Sequence, residues 1–230
     1  MNVTTFSIID NIRHTLDRVR AAEQHSGRET GKVRVVGITK TLGPEVIREA
    51  ISEGITEIGE NRVQEAAWKF SEVEGEFKKH LVGHLQTNKV KKAVELFDVI
   101  HSVDSLKLAS KIADQNAVGK ELLLEVNTSG ESTKFGVEPD SVIDILSEIS
   151  ETAGLNIDGL MTIGPHTDDE NEIRTAFKKL KRLYDKAAKS EIDGIEMKSL
   201  SMGMTNDFEI AIEEGATMVR IGRALFGERK

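Results

Sequence analysis

Val33-Arg34-Val35-Val36-Gly37-Ile38-Thr39 is followed directly by Lys40. Seven residues of mostly β-branched character, preceded by the polar stretch Ser26 to Gly31, are too few for a core helix and read as a buried strand. Seven further runs of this kind follow, at Glu57 to Gly59, His80 to Gly83, Val99 to Ser102, Leu122 to Asn127, Ile157 to Ile163, Lys198 to Met202 and Met218 to Ile221. Amphipathic stretches separate them, among them Pro44 to Glu53, Val142 to Thr152 and Ile173 to Lys189, each closing near a glycine or a polar break. Strands alternating with crossover helices make a parallel sheet. Eight such units in series predict an α/β fold, a single (β/α)8 barrel of the TIM type. The rival, an open doubly wound sheet, carries a G-x-G-x-x-G turn after its first strand, and here that position reads Lys40-Thr41-Leu42-Gly43. An extra helix is expected ahead of the barrel over Thr5 to Gln24, where Ile8, Ile9, Ile12, Leu16 and Val19 fall near helical spacing.

The chain has 230 residues, enough for one barrel that buries its own core. No low-complexity or proline-rich joint interrupts the series, so residues 1–230 read as one domain, with 1–30 as the leading helix and loop. The absence of cysteine excludes disulfides, thiolate metal sites and a cysteine nucleophile, and fits a reducing compartment. Arg13, Arg18 and Arg20 break up the N-terminal region, which reads as neither signal peptide nor membrane span. A cytoplasmic location without membrane attachment is expected. With 39 acidic against 31 basic residues and a net charge of -8, a nucleic acid partner is not expected. The six lysines and arginines between Ala176 and Lys189 are expected on a solvated helix face opposite Ile173, Phe177 and Leu180.

In this barrel class the working groups lie at the carboxyl ends of the strands. Lys40 sits at such an end. By strand alternation it shares a face with Ile38 and Val36, the barrel interior, while Arg34 on that face reaches the opposite mouth. Apolar surroundings disfavour an ammonium ion and favour the neutral amine that condenses with an aldehyde. A second constellation, Ser201-Met202-Gly203-Met204-Thr205-Asn206-Asp207, closes strand seven. Asn206 with Glu209 has capping-box spacing, which places free amides beside the Ser201 loop in a position suited to phosphate. Strand eight ends in Arg220-Ile221-Gly222-Arg223, where glycine permits close backbone approach. Ordinary turn chemistry accounts for either tract alone, but loops seven and eight together form a recurrent phosphate site of this fold.

Closing the barrel sets strands seven, eight, one and two in one arc, carrying Ser201, Arg220, Lys40 and Asn61. A phosphate near Ser201 and Gly222, an aldehyde on Lys40 and an aromatic nitrogen facing Arg220 describe pyridoxal 5'-phosphate (PLP). The runs Gly37-Ile38-Thr39-Lys40, Gly59-Glu60-Asn61-Arg62-Val63-Gln64-Glu65, His80-Leu81-Val82-Gly83-His84-Leu85-Gln86-Thr87-Asn88-Lys89, Leu200-Ser201-Met202-Gly203-Met204 and Val219-Arg220-Ile221-Gly222 closely resemble the YggS/PROSC family of PLP homeostasis proteins. The resemblance spans nearly the whole chain. It implies the barrel of alanine racemase, fold type III of PLP proteins, without the C-terminal β domain. It further implies that Lys40 carries PLP as a Schiff base, that Ser201 and the backbone of Gly222 and Arg223 hold the phosphate, that Arg220 meets the pyridine nitrogen, and that Asn61 lies beside the ring. Arg223 stands where a smaller residue is usual, and Thr41-Leu42 lacks a further lysine found in some relatives.

An arginine at the pyridine nitrogen donates only, so the nitrogen stays unprotonated and the ring is a weak electron sink. By the same resemblance a racemase takes its second acid/base, a tyrosine, from a further domain. The chain ends at Lys230, and its only tyrosine, Tyr184, is expected to pack or to lie at the surface. His80, His84, His101 and His166 occur singly, without metal-ligand spacing, and no metal is expected. Glu60 lies near the proposed ring but is expected to pair with an arginine such as Arg62. Lys134, in the loop after strand five, is a candidate to receive PLP by transimination. The sequence therefore points to a PLP carrier or regulator without evident catalysis, a monomer whose partners are PLP and PLP-dependent apoenzymes. The alternatives are a PLP-dependent amino-acid racemase or related enzyme, and a class I aldolase-like enzyme in which Lys40 forms its imine with a sugar phosphate.

Overall fold

The computed structural model describes residues 7–131, 133–153 and 155–228. Eight strands, β1 (Arg34–Ile38), β2 (Glu57–Glu60), β3 (Lys78–Leu81), β4 (Val99–Val103), β5 (Glu121–Glu125), β6 (Ile157–Met161), β7 (Ile195–Ser201) and β8 (Met218–Ile221), close into one barrel. Each pairs in parallel with the next, and β8 returns to β1. Around it run α1 (Ile8–His25), α2 (Pro44–Ser52), α3 (Val63–Ser71), α4 (Val90–Leu96), α5 (Leu106–Ala113), α6 (Val142–Ala153), α7 (Glu170–Ala188), α8 (Phe208–Glu213) and α9 (Arg223–Phe226). No described helix is long and apolar enough to cross a membrane.

The extra N-terminal helix is present. Ser7 and Asp10 form its capping box, and residues 5 and 6 of the expected span lie outside the described residues. Ile12, Val19 and Ala22 are buried as α1 packs on α8 and α9, and Arg18 forks onto Glu209 at 2.9 and 2.8 Å. Glu23, fully buried at the end of α1, accepts the backbone N–H groups of Gly31, Lys32 and Val33 at 2.7–2.8 Å and so delivers the chain into β1.

The fork from Arg18 also corrects the expected capping box at Asn206 and Glu209. Glu209 is drawn outward to the arginine, Asp207 becomes the N-cap, and its carboxylate accepts Met204 N–H at 2.5 Å. Strand β7 begins at Ile195, three residues before the expected Lys198, because Ile195 already pairs with Ile157. Its close approach to β6 needs glycine at 159, since a Cβ there would stand 1.8 Å from the Ser199 carbonyl oxygen.

Apolar packing is concentrated between barrel and helices, where Ile47, Ile58, Leu81, Phe97, Ile100, Leu160 and Phe177 are fully buried. Inside the barrel a small apolar cluster of Val36, Ile38, Met218 and Val82 lies among polar groups. Arg34 reaches the amino-end mouth, as strand alternation requires, and bonds Glu57, Glu121 and Ser199 there.

Candidate functional site

Lys40 follows β1 and lines a cavity of about 410 Å³ at the carboxyl mouth. Asn61 after β2, His166 after β6, Met204 to Asp207 after β7, and Arg220, Gly222 and Arg223 from β8 line the same space. Five of the six cofactor-site residues selected from sequence thus meet in one cavity. Asn61 is braced by the β3 loop, because Gly83 lies so close that an added Cβ would sit 2.4 Å from the Asn61 carbonyl oxygen.

The backbone carrying Lys40 is held on both sides. The Thr39 carbonyl accepts Lys69 Nζ at 2.7 Å, the Thr39 hydroxyl donates to Glu60 at 2.7 Å, and Thr41 N–H donates to Glu65 at 2.5 Å. Thr41 has φ +66°, a conformation that a β-branched residue adopts only under constraint. Lys69, 1% exposed, joins the system by pairing with Glu60 at 2.8 Å and Glu65 at 2.6 Å. This corrects the expected Glu60–Arg62 pair. Alternation along β2 turns Glu60 away from Gly59 and Asn61, into the layer beneath α3, where Lys69 meets it. Burial raises the Glu60 carboxyl above the ordinary carboxylate range against the pull of Lys69 and Thr39, and among the described residues Glu60 Oε2 has no hydrogen-bond partner.

Arg220 is 5% exposed. It donates to Ser201 Oγ and to the Thr162 carbonyl, both at 2.8 Å. Burial lowers its pKa to about 10, with Asp207 and Glu125 opposing at longer range, so it remains a cation at neutral pH. Among the described residues two of its five N–H groups are engaged and no carboxylate bonds to it, which leaves donors for an acceptor in the cavity. Ser201 itself is fully buried and does not line the cavity; its hydroxyl lies beneath Arg220. At the end expected for the phosphate, the surface is formed by Thr205, Asn206, Gly222 and Arg223. The Arg223 side chain turns toward Glu228 at 3.8 Å.

Lys134 is tied to Glu131 at 2.6 Å and to the Gly164 carbonyl at 2.7 Å, and does not line the cavity. Tyr184 packs against β7, its hydroxyl donating to the Met197 carbonyl. His84 stacks on Phe135 at 3.8 Å and meets Asp104 at 3.2 Å. His80 and His101, read from sequence as isolated, are 2.9 Å apart, and His101 reaches Ser201 at 3.0 Å. The signal was available in strand register. His80 pairs with Val99, which puts His101, two residues on, on the same inward face of the neighbouring strand.

The alanine racemase N-terminal domain family matches residues 9–230. Pyridoxal phosphate homeostasis proteins of Aquifex aeolicus and Vibrio cholerae are 40% and 37% identical, covering 96% and 97% of the chain and 98% and 97% of the relatives. The chain belongs to the pyridoxal phosphate homeostasis protein family. Among solved structures, PipY of Synechococcus elongatus PCC7942, 32% identical, superposes with a TM-score of 0.84 without PLP, over 96% of the chain and 100% of PipY. With PLP bound the TM-score is 0.78, over 92% and 99%. An alanine racemase of Clostridium difficile 630 is 17% identical, with a TM-score of 0.76 over 96% of the chain and 57% of the racemase, and shares the barrel fold with this family member.

Proposed function

We propose that this chain binds PLP at the carboxyl mouth of its barrel and serves to hold and hand on the cofactor within the cell. The observation that carries the proposal is the convergence of Lys40, Asn61, Arg220, Gly222 and Arg223 on one cavity. Lys40 supplies the amine for the aldehyde, condensing with loss of water, and Arg220 supplies the donor for the ring nitrogen. The phosphate lies toward Thr205, Asn206 and the Gly222–Arg223 backbone, while Asn61 flanks the ring. PipY, alike in fold and sequence, has been solved with PLP bound, which supports PLP as the ligand.

Holding rather than catalysis follows from Arg220. A permanent donor at the ring nitrogen weakens the electron withdrawal that racemisation needs. The chain acts as a monomer in the cytoplasm and exchanges PLP with apoenzymes that require it. Lys134, engaged by Glu131 and Gly164, would have to leave both before receiving the aldehyde. The test is borohydride reduction of the PLP-loaded protein followed by peptide mass mapping. The adduct is expected on Lys40, and Lys40→Ala is expected to lose the visible absorbance band. An adduct on another lysine, or a band that survives the substitution, overturns the proposal. An enzyme-like rate of alanine or serine racemisation would return the racemase reading.

A further inference from the structure

A polar column runs through the barrel from the cavity floor to the opposite mouth. Arg220 donates to Ser201 Oγ at 2.8 Å, Ser201 Oγ meets His101 Nδ1 at 3.0 Å, and His101 Nε2 meets His80 Nδ1 at 2.9 Å. His80 Nε2 then stands 3.0 Å from Glu57 Oε2, close in distance although the ring N–H points off the direct line. Ser201, His80 and His101 are all fully buried.

Valence fixes the order of protons along this column. Glu57 only accepts, so a neutral His80 carries its proton on Nε2, facing that carboxylate at 3.0 Å, and a lone pair on Nδ1. His101 Nε2 must then donate to His80 Nδ1, which leaves the neutral His101 with a lone pair on its own Nδ1. Ser201 gives its single proton to that nitrogen, and its oxygen accepts from Arg220, a guanidinium that only donates. The electrostatics agree. Burial lowers the pKa of both rings, and at His101 a proton on His80 would disfavour a second one, as does the Arg220 charge. Glu57 stays ionised: burial acts to raise it, but the nearby His80 N–H and the hydrogen bonds from Arg34 outweigh this and hold it at about 2.

We infer that His101, backed by His80, is a positioning residue for the cofactor's ring nitrogen: it orients the Ser201 hydroxyl so that its oxygen receives Arg220, and thereby aims the free guanidinium donors into the cavity. Ser201 thus acts from beneath the site. The inference rests on the proposed PLP site and adds to it two residues that touch neither cavity nor ligand.

Two measurements separate the column from the site. In cofactor-free protein labelled with ¹⁵N-histidine at pH 7, His101 is expected to show an unprotonated Nδ1 and a protonated Nε2; the reverse tautomer or an imidazolium overturns the proton order and the inference with it. The second is a PLP titration by visible absorbance on wild type, His101→Gln, His101→Leu and Ser201→Ala, with melting temperature followed in parallel. Gln keeps one acceptor and one donor, so His101→Gln is expected to bind within about threefold of wild type and give the same band. His101→Leu and Ser201→Ala are expected to weaken PLP binding by about tenfold, in the range of a hydrogen bond to a charged group, and to move the band in the direction given by Arg220→Lys. Wild-type binding and band position in both His101→Leu and Ser201→Ala would overturn the inference. If His101→Leu does not fold, Ser201→Ala and the tautomer measurement decide. Absence of any PLP band in wild type would instead refute the proposed site, and the tautomer measurement would still judge the column.

Discussion

Glu125 ends β5 inside the barrel and is 4% exposed. Burial, reinforced by Asp104 and opposed by Arg220, raises its pKa to about 7. In the unfolded chain the same carboxyl titrates near 4.5. Between these values the unfolded state has released its proton while the folded state keeps it, so unfolding becomes easier as pH rises. The favourable contribution is full below pH 4.5 and is lost as pH rises through 7, a change of about 3 kcal/mol. Glu125→Gln keeps the shape without the titration. Urea unfolding of cofactor-free protein at pH 5 and pH 8 is expected to show a stability drop in wild type that the variant lacks; equal drops in both would assign the pH dependence elsewhere.

The connection of β1 to α3 depends on a different buried charge. Lys69 joins Glu60, Glu65 and the Thr39 carbonyl, and removing one member of a buried ionic cluster leaves the others uncompensated. Lys69→Met is expected to cost about 3–5 kcal/mol, and Lys69→Met combined with Glu60→Gln to recover part of it, measured by urea unfolding at pH 7. A loss below about 1 kcal/mol would mean that water already screens the cluster. None of this was legible in the sequence. Strand alternation says that Glu60 and Asn61 face opposite ways, but which helix residue meets Glu60 depends on how α3 lies across the barrel, so the nearer Arg62 was the natural choice. The strands themselves were legible because β-branched runs such as Val33 to Thr39 have no alternative burial. Their ends were less so, as at Ile195, where pairing with Ile157 extends β7 through a stretch whose exposed residues hide it.

At the scale of the whole barrel, the two mouths do different work. Closure is what turned residues scattered from Lys40 to Arg223 into one site, and it could be anticipated because strand eight must return to strand one. The burial of Ser201 could not, since it depends on how far Arg220 reaches across the interior. At the amino end, Arg34 and Lys78 each meet Glu121 at 2.8 Å and Ser199 donates to it at 2.6 Å. These bonds outweigh the opposing effect of burial and hold Glu121 at about 2. This cluster stabilises the fold without touching the cavity, whereas a ligand at the carboxyl mouth stabilises only by mass action. At a free PLP concentration of about 100 times Kd the gain is about 2.7 kcal/mol, which for a chain of this length raises Tm by roughly 5–11 °C. Lys40→Ala is expected to keep the cofactor-free Tm and lose most of that rise. Glu121→Gln is expected to lower the cofactor-free Tm and keep the rise in full, because effects at well-separated sites add. A Glu121→Gln protein that no longer responds to PLP in a thermal melt would show the mouths to be coupled, with Glu57 and the histidine column as the connection between them.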